Sequence, residues 1–305
     1  MNLISRILLI KLSIVLLTTA TFSQGGVRSI TVRTEPNAVV WIDGVKRGIT
    51  SERGELRITH LKRGLSVIRV RADGFKESSK KLFPRQKGII RVRLFKTSDP
   101  SILAFQEAEK LALSDKEKAI ELYKKAVKLS PRFAKAFVGL ARVLTGRDYD
   151  EATGAIANAR KIKPIYPEAS AVEGRIHRAE NEIDKAIDSF DRAIAEGKGF
   201  QPEALTGLGL IYKKKAESAE IAGNFDEEEF YYGEAAKSFG KAIEQLSATE
   251  PVLYFLLGQI YEKTNENMKA IAIYKEFIRD FPTSNERSVA ESFIVQLKKE
   301  KDLQR

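Results

Sequence analysis

Apolar positions follow three different rhythms along the chain. Residues Ile7-Leu-Leu-Ile10 and Leu12-Ser-Ile-Val-Leu-Leu17 form a short, nearly unbroken apolar run behind Arg6. From about Val27 to Lys96 the period becomes two, in Ile30-Thr-Val32, Val40-Trp-Ile42, Leu56-Arg-Ile58, Ile68-Arg-Val70 and Ile90-Arg-Val92-Arg-Leu94. Alternation of this kind predicts strands with one buried and one wet face. Turn signals fall between them at Asp43-Gly44, Arg47-Gly48, Arg53-Gly54, Arg63-Gly64, Asp73-Gly74 and Lys87-Gly88. Short strands with glycine turns predict a small antiparallel β-sandwich or partly open barrel. Beyond the polar, proline-terminated linker at residues 97–100 the period changes to about 3.6, and helix pairs are expected from Ser101 onward.

The helical part repeats. Ala119, Ala152 and Ala186 recur at intervals of 33 and 34 residues, each followed by an aromatic or branched residue and then a second alanine. The next marker, Ala235, arrives 49 residues later, and Ala270 returns after 35. About 15 extra residues therefore enter the fourth unit near 213–229, where the sequence suits two lengthened helices rather than a loose loop. The fifth unit is the clearest, with Tyr254, Leu257-Gly258, Tyr261, Ala270, Tyr274, Phe277 and Pro282. In this spacing 101–282 resembles about five tetratricopeptide repeats, followed by a capping helix over 283–305. One such unit cannot bury its own apolar face, so the resemblance implies an all-α solenoid. Gly174, Gly209 and Gly258 are expected to let helix axes approach, with Tyr123, Phe190, Phe239 and Tyr274 filling the space. Ser114 with Glu117, and Thr283 with Glu286, read as capping boxes, and Pro131 and Pro251 suit the first turn of the helix after each.

The β region at 27–96 is similar to the PEGA domain, a small surface module of prokaryotic proteins. The matching residues are Pro36-Asn-Ala38, Val40-Trp-Ile-Asp-Gly44, Gly48-Ile-Thr50, Leu61, Gly64, Val67, Val70, Gly74-Phe75 and Leu94. If Val40, Ile42, Val70 and Val92 point inward, then Trp41, Arg69, Arg71, Arg91 and Arg93 point outward. Guanidinium groups beside an exposed indole suit an anionic polymer such as an acidic envelope polysaccharide. The same charges also suit a solvated surface that keeps sheet edges from pairing.

Charge sharpens this picture. The net +11 is gathered at the N-terminal side: Gln24–Asp99 has 18 Lys/Arg against 7 Asp/Glu, while Pro100–Arg305 has 32 against 34. The absence of cysteine excludes disulfides, thiolate metal sites and thiol catalysis. Residues 1–23, with a basic flank, a short apolar stretch and a small-residue exit near Ala20 or Ser23, read as a signal peptide. Export to the periplasm or cell surface is expected, with an uncleaved N-terminal anchor as the alternative, and nucleic acid is not an expected partner. No phosphate loop, nucleophile elbow or metal spacing is present, so neither an enzyme nor a cofactor is expected. His60 and His177 each stand alone and read as structural. The resemblance to tetratricopeptide repeats implies a protein partner held in a groove. Leu210, Lys213, Lys214, Gln259 and Lys263 are the candidates to line it. The four first-helix segments 133–144, 168–179, 202–215 and 252–263 contain no Asn, which argues against a carboxylate clamp. The expected function is an exported, non-catalytic scaffold, with polysaccharide attachment through the β region as the alternative.

Overall fold

The computed structural model describes residues 28–61 and 64–303, without the side chains of His60 and 300–303. The expected signal peptide lies outside these residues. The N-terminal part holds β1 (Arg28–Arg33), β2 (Val39–Ile42), β3 (Val45–Ile49), β4 (Glu55–Leu61), β5 (Ser66–Arg71), β6 (Phe75–Lys76), β7 (Ser78–Leu82), β8 (Gly88–Arg91) and β9 (Phe95–Lys96). They form one sheet in the order β4-β1-β8, a second in the order β3-β2-β5-β7, and a small β6-β9 pair. Ile30, Val32, Ile58 and Ile90 from the first sheet share one core with Val40, Ile42, Ile68, Val70 and Leu82 from the second.

One pairing departs from the all-antiparallel expectation: β8 runs parallel to β1, with Thr31 beside Ile89 and Arg33 beside Arg91. The chain leaves the second sheet after β7, turns at 83–87 and enters the first sheet in the same sense as β1. At the β2–β3 hairpin, Asp43 and Gly44 take φ of 51° and 85°, the positive pair that a two-residue turn with the right twist requires.

The helices follow as α1 (Pro100–Leu111), α2 (Lys116–Leu129), α3 (Ala134–Leu144), α4 (Tyr149–Ile162), α5 (Pro167–Ala179), α6 (Ile183–Glu196), α7 (Pro202–Ala222), α8 (Phe225–Leu246), α9 (Val252–Lys263), α10 (Asn267–Asp280) and α11 (Arg287–Leu303). α5 touches both α3 and α7, so the first helices of the second, third and fourth pairs make one continuous face. Glycine and aromatic positions explain how closely the helices pack. A Cβ on Gly258 would meet the Tyr274 ring at 2.4 Å, and one on Gly209 would meet Phe239 at 2.6 Å. Each ring is fully buried, which stabilises the array by about 2–3 kcal/mol per aromatic. Gly139 against Tyr123 and Gly207 against Phe190 repeat the device at positions the sequence pattern did not mark.

Helix starts differ from the expected caps. Asp115 caps α2, its carboxylate accepting from the Lys118 N–H at 3.0 Å, while the Ser114 N–H still closes the end of α1 on Leu111. Before α11 it is Ser284, not Thr283, whose hydroxyl accepts from the Glu286 N–H. Pro131 lies in the turn ahead of α3 and Pro251 at the cap of α9, while Pro100, Pro167 and Pro202 open α1, α5 and α7. The fourth pair is the long one: α7 has 21 residues and α8 has 22, joined at Gly223 in the left-handed conformation.

Candidate functional site

Two surfaces contain the residues singled out by sequence: the outer faces of the β region, and the flanks of the long fourth hairpin.

On the second sheet Trp41 stands opposite Arg69 across β2 and β5. The Arg69 guanidinium lies 4.2 Å from the indole centre and that of Arg71 lies 5.1 Å from it. These three side chains do point out of their sheet, but toward the helices. Arg71 pairs with Glu109 of α1 at 3.0 Å and lies 5.3 Å from the Phe105 ring centre. The other oxygen of Glu109 accepts from the buried Tyr123 hydroxyl of α2. Arg69 pairs with Glu77 at 3.2 Å, and Glu77 also meets Lys135 of α3.

A buried glutamine fixes the joint. Gln106 of α1 accepts from the Gly74 N–H at 2.9 Å and donates to the Phe75 carbonyl at 2.7 Å and the Ala72 carbonyl at 3.3 Å. Lys110 adds an ion pair to Asp73 at 2.9 Å. The linker is ordered too, since Asp99 caps α1 through the Ser101 N–H and the Thr97 N–H bonds the Gly74 carbonyl.

A second joint comes from a β-bulge. The register of β2 and β3 slips between Trp41–Lys46 and Val40–Gly48, leaving Arg47 as the extra residue. Bulges re-aim side chains, and this one sends Arg47 to the C-terminal carbonyls of α8. It donates to Leu246 at 3.0 Å and to Ser247 at 2.8 Å. A cation at a helix C-terminus also meets the negative end of the helix dipole. Between these joints a cavity of about 700 Å³ remains, lined by Trp41 and Lys46 on one side and by Arg142, Glu203, Thr206 and Leu253 on the other.

Arg91 and Arg93 do not join Trp41. Arg91 belongs to β8 in the first sheet, Arg93 follows it, and both are exposed. Outward alternation on two sheets gives two opposite surfaces, so the five predicted residues divide into three facing the helices and two facing away.

The groove candidates are divided as well. Leu210 and Lys214 line a cleft of about 620 Å³ beside α7, together with Arg178, Ile183, Lys215 and Tyr231. Leu210 also borders the cavity against the β region. Lys213 pairs along its own helix with Glu217 rather than crossing to the acidic run at Glu227. Lys263 of α9 reaches Glu220 of α7 at 2.6 Å on the other flank, and Gln259 is exposed. The Lys263 and Tyr232 hydrogen bonds hold the Glu220 carboxyl below its ordinary range. Burial, followed by the Glu220 charge, raises the Tyr232 hydroxyl to about 12. What the sequence reading missed is the tip of this hairpin, where Ile221 and Phe225 are 89% and 76% exposed, with Phe230 nearby at 61%. The only signal for it was the size of the insertion.

His177 packs under Tyr149 with its Nδ1 2.8 Å from Glu182. Hydrogen bonds from Lys185 first, then His177 and Tyr149, hold the Glu182 carboxyl down at about 2. The histidine is thus accounted for by packing. Among the described residues there is no group of three His, Cys, Asp or Glu side chains placed to hold a metal ion, and no helix long and apolar enough to cross a membrane.

Comparison with known proteins agrees on the helical part. Family models described as tetratricopeptide repeat match residues 109–169 and 144–202, and another of the same description matches 253–284. The chain is 34% identical over 90 residues to the Arabidopsis thaliana protein CTR9 homolog, covering 28% of this chain and 8% of the relative. It is 34% identical over 57 residues to the photosystem I assembly protein Ycf3 of Prochlorococcus marinus strain MIT 9215, covering 19% of this chain and 32% of the relative. The chain thus spans less than a third of the length of either curated relative. Among solved structures it is similar to yeast Tom70 with a TM-score of 0.53 at 19% identity, over 67% of this chain and 41% of that one. Residues 109–202 and 253–284 of this chain are tetratricopeptide repeats.

Proposed function

We propose that the chain is an exported, non-catalytic adaptor that holds another protein against its repeat array at the cell envelope. In this reading residues 1–23 direct export and the β region is a PEGA-like module. The observation that carries it is the fourth helix pair. Its extra length leaves a cleft of about 620 Å³ beside α7 and ends in exposed Ile221 and Phe225. Large apolar side chains that a fold leaves in water, beside a concave and partly charged wall, are the usual mark of a protein partner. The rest of the face formed by the first helices is partly covered by the β region, so a partner meets the array at this hairpin. Tetratricopeptide repeats act in protein–protein contact, and the Prochlorococcus relative is named for assembly of a larger complex, a role of the same kind. The polysaccharide alternative rests on Arg91 and Arg93, since Trp41, Arg69 and Arg71 are engaged within the chain.

A photo-crosslinking amino acid placed at Ser218, inside the cleft, tests the reading in cells. It is expected to trap one protein reproducibly, and Leu210→Asp is expected to abolish that adduct. If Ser218 traps nothing, or traps the same set as a probe at Lys118 on α2, the adaptor reading fails.

A further inference from the structure

The outward face of the first sheet carries a surface that the adaptor reading does not use. Because Trp41, Arg69 and Arg71 turn the second sheet toward the helices, the outer face of the first sheet points away from the array. Ile89, Arg91 and Arg93 alternate along one side of β8 and its continuation, with Ile90 and Val92 buried between them. The turn that feeds β8 adds Phe83, Arg85 and Lys87, and it is fixed to β1 by the Arg28 guanidinium donating to the Pro84 carbonyl at 2.9 Å.

Charge on this surface is of one sign. From Ser78 to Ser98 the sequence has seven Lys/Arg and no Asp or Glu. Glu55 is the acidic residue of the first sheet, and Arg33 neutralises it through its Nε at 2.7 Å. Among the described residues none of Arg85, Lys87, Arg91 and Arg93 meets a carboxylate, whereas Arg69 and Arg71 on the opposite face both do. Apolar groups stand among these cations: Phe83 is 55% exposed and Ile89 is 48% exposed.

We propose that this face docks on an anionic lipid bilayer. A soluble polyanion needs only the cations. A bilayer surface uses both sets, since basic side chains meet the headgroups while apolar ones enter the boundary with the acyl chains. An exposed phenylalanine and isoleucine within an unpaired basic field therefore fit the bilayer better than a glycan or a nucleic acid. The contact is peripheral and is independent of which protein occupies the cleft beside α7.

Co-sedimentation of the full chain with phosphatidylcholine vesicles, with and without about one-third phosphatidylglycerol, tests the proposal. The apolar run at residues 7–17 can carry the chain to a bilayer of either charge, so the readout is the difference between the two vesicle types. Binding is expected to favour the anionic vesicles and to fall steeply with added salt. The exposed triple change Arg85→Glu, Lys87→Glu and Arg91→Glu is expected to lower partitioning by about 100-fold or more, at roughly fivefold per basic residue lost. A matched control on α2, Lys118→Glu with Lys125→Glu and Lys128→Glu, is expected to leave it nearly unchanged. Phe83→Ser with Ile89→Ser keeps the charge and is expected to cost about tenfold. Equal binding to both vesicle types overturns the proposal, as does a triple reversal no worse than its control. So does retention by dextran sulfate that exceeds vesicle binding and ignores the Phe83→Ser and Ile89→Ser changes. Melting curves of each variant establish that the lost binding is not lost folding.

Discussion

Arg71 and Arg91 hold comparable places in the β region. Each ends a strand, follows a buried residue (Val70 or Ile90) and points out of its sheet. Arg71 finds Trp41, Phe105 and Glu109, and becomes part of a wall between β strands and helices. Arg91 is exposed, and its backbone carbonyl accepts from the Lys80 ammonium at 2.8 Å. An arginine row on a strand thus has no fixed meaning of its own. Whether it is a joint or a docking surface depends on which acids and rings the rest of the chain brings to it.

The comparison breaks if the joint face tolerates change as well as the open one. The largest effect is expected for Gln106→Leu, which removes the Gln106 partner of the buried Gly74 N–H and Phe75 carbonyl and one of the two donors to the Ala72 carbonyl. A loss of about 3 kcal/mol is expected, read by urea denaturation and by new proteolysis within residues 97–100. Arg71→Ala removes a half-shielded pair and the stacking on Trp41, with an expected cost of about 1–2 kcal/mol. Arg47→Lys keeps the charge but loses the planar guanidinium whose Nη1 donates to both carbonyls, for about 1 kcal/mol. On the open face, Arg91→Ala with Arg93→Ala is expected to shift stability by less than about 0.5 kcal/mol. A matching loss there would show that the two faces are alike after all.

Much of this was legible in the sequence. Alternation correctly assigned Val40, Ile42, Val70 and Val92 to the core and Trp41 and the four arginines to the outside. Marker spacing singled out Gly258 and Gly209 as points of close approach and Tyr274 and Phe239 as filling rings, because close helix approach demands a missing side chain beside a large one; the structure pairs Gly258 with Tyr274 and Gly209 with Phe239. The sidedness of the arginines was not legible. A period of two separates in from out, but a sandwich has two outsides, and the sheet a strand joins depends on contacts far away in sequence. β8 illustrates this, since its parallel place beside β1 leaves no local mark. Gln106 reads as an ordinary polar helix residue until the Asp73-Gly74 turn is laid against it. Arg47 reads as a turn residue, and only the slipped register turns it toward α8. Of the groove candidates, Leu210 and Lys214 lie on one cleft, while Lys213 and Lys263 are engaged by Glu217 and Glu220.

The reach of Arg47 has a mechanical consequence. A solenoid behaves as a spring, because each unit contacts only its neighbours and small rotations add up along its length. Here Gln106 and Glu109 tie the β region to the first helix, and Arg47 ties it to the end of the fourth pair. The β region is therefore a strut across the arc of the spring. Bending and twisting between those points are stiffened, while α9–α11 extend past the second tie and keep the compliance of an untied solenoid.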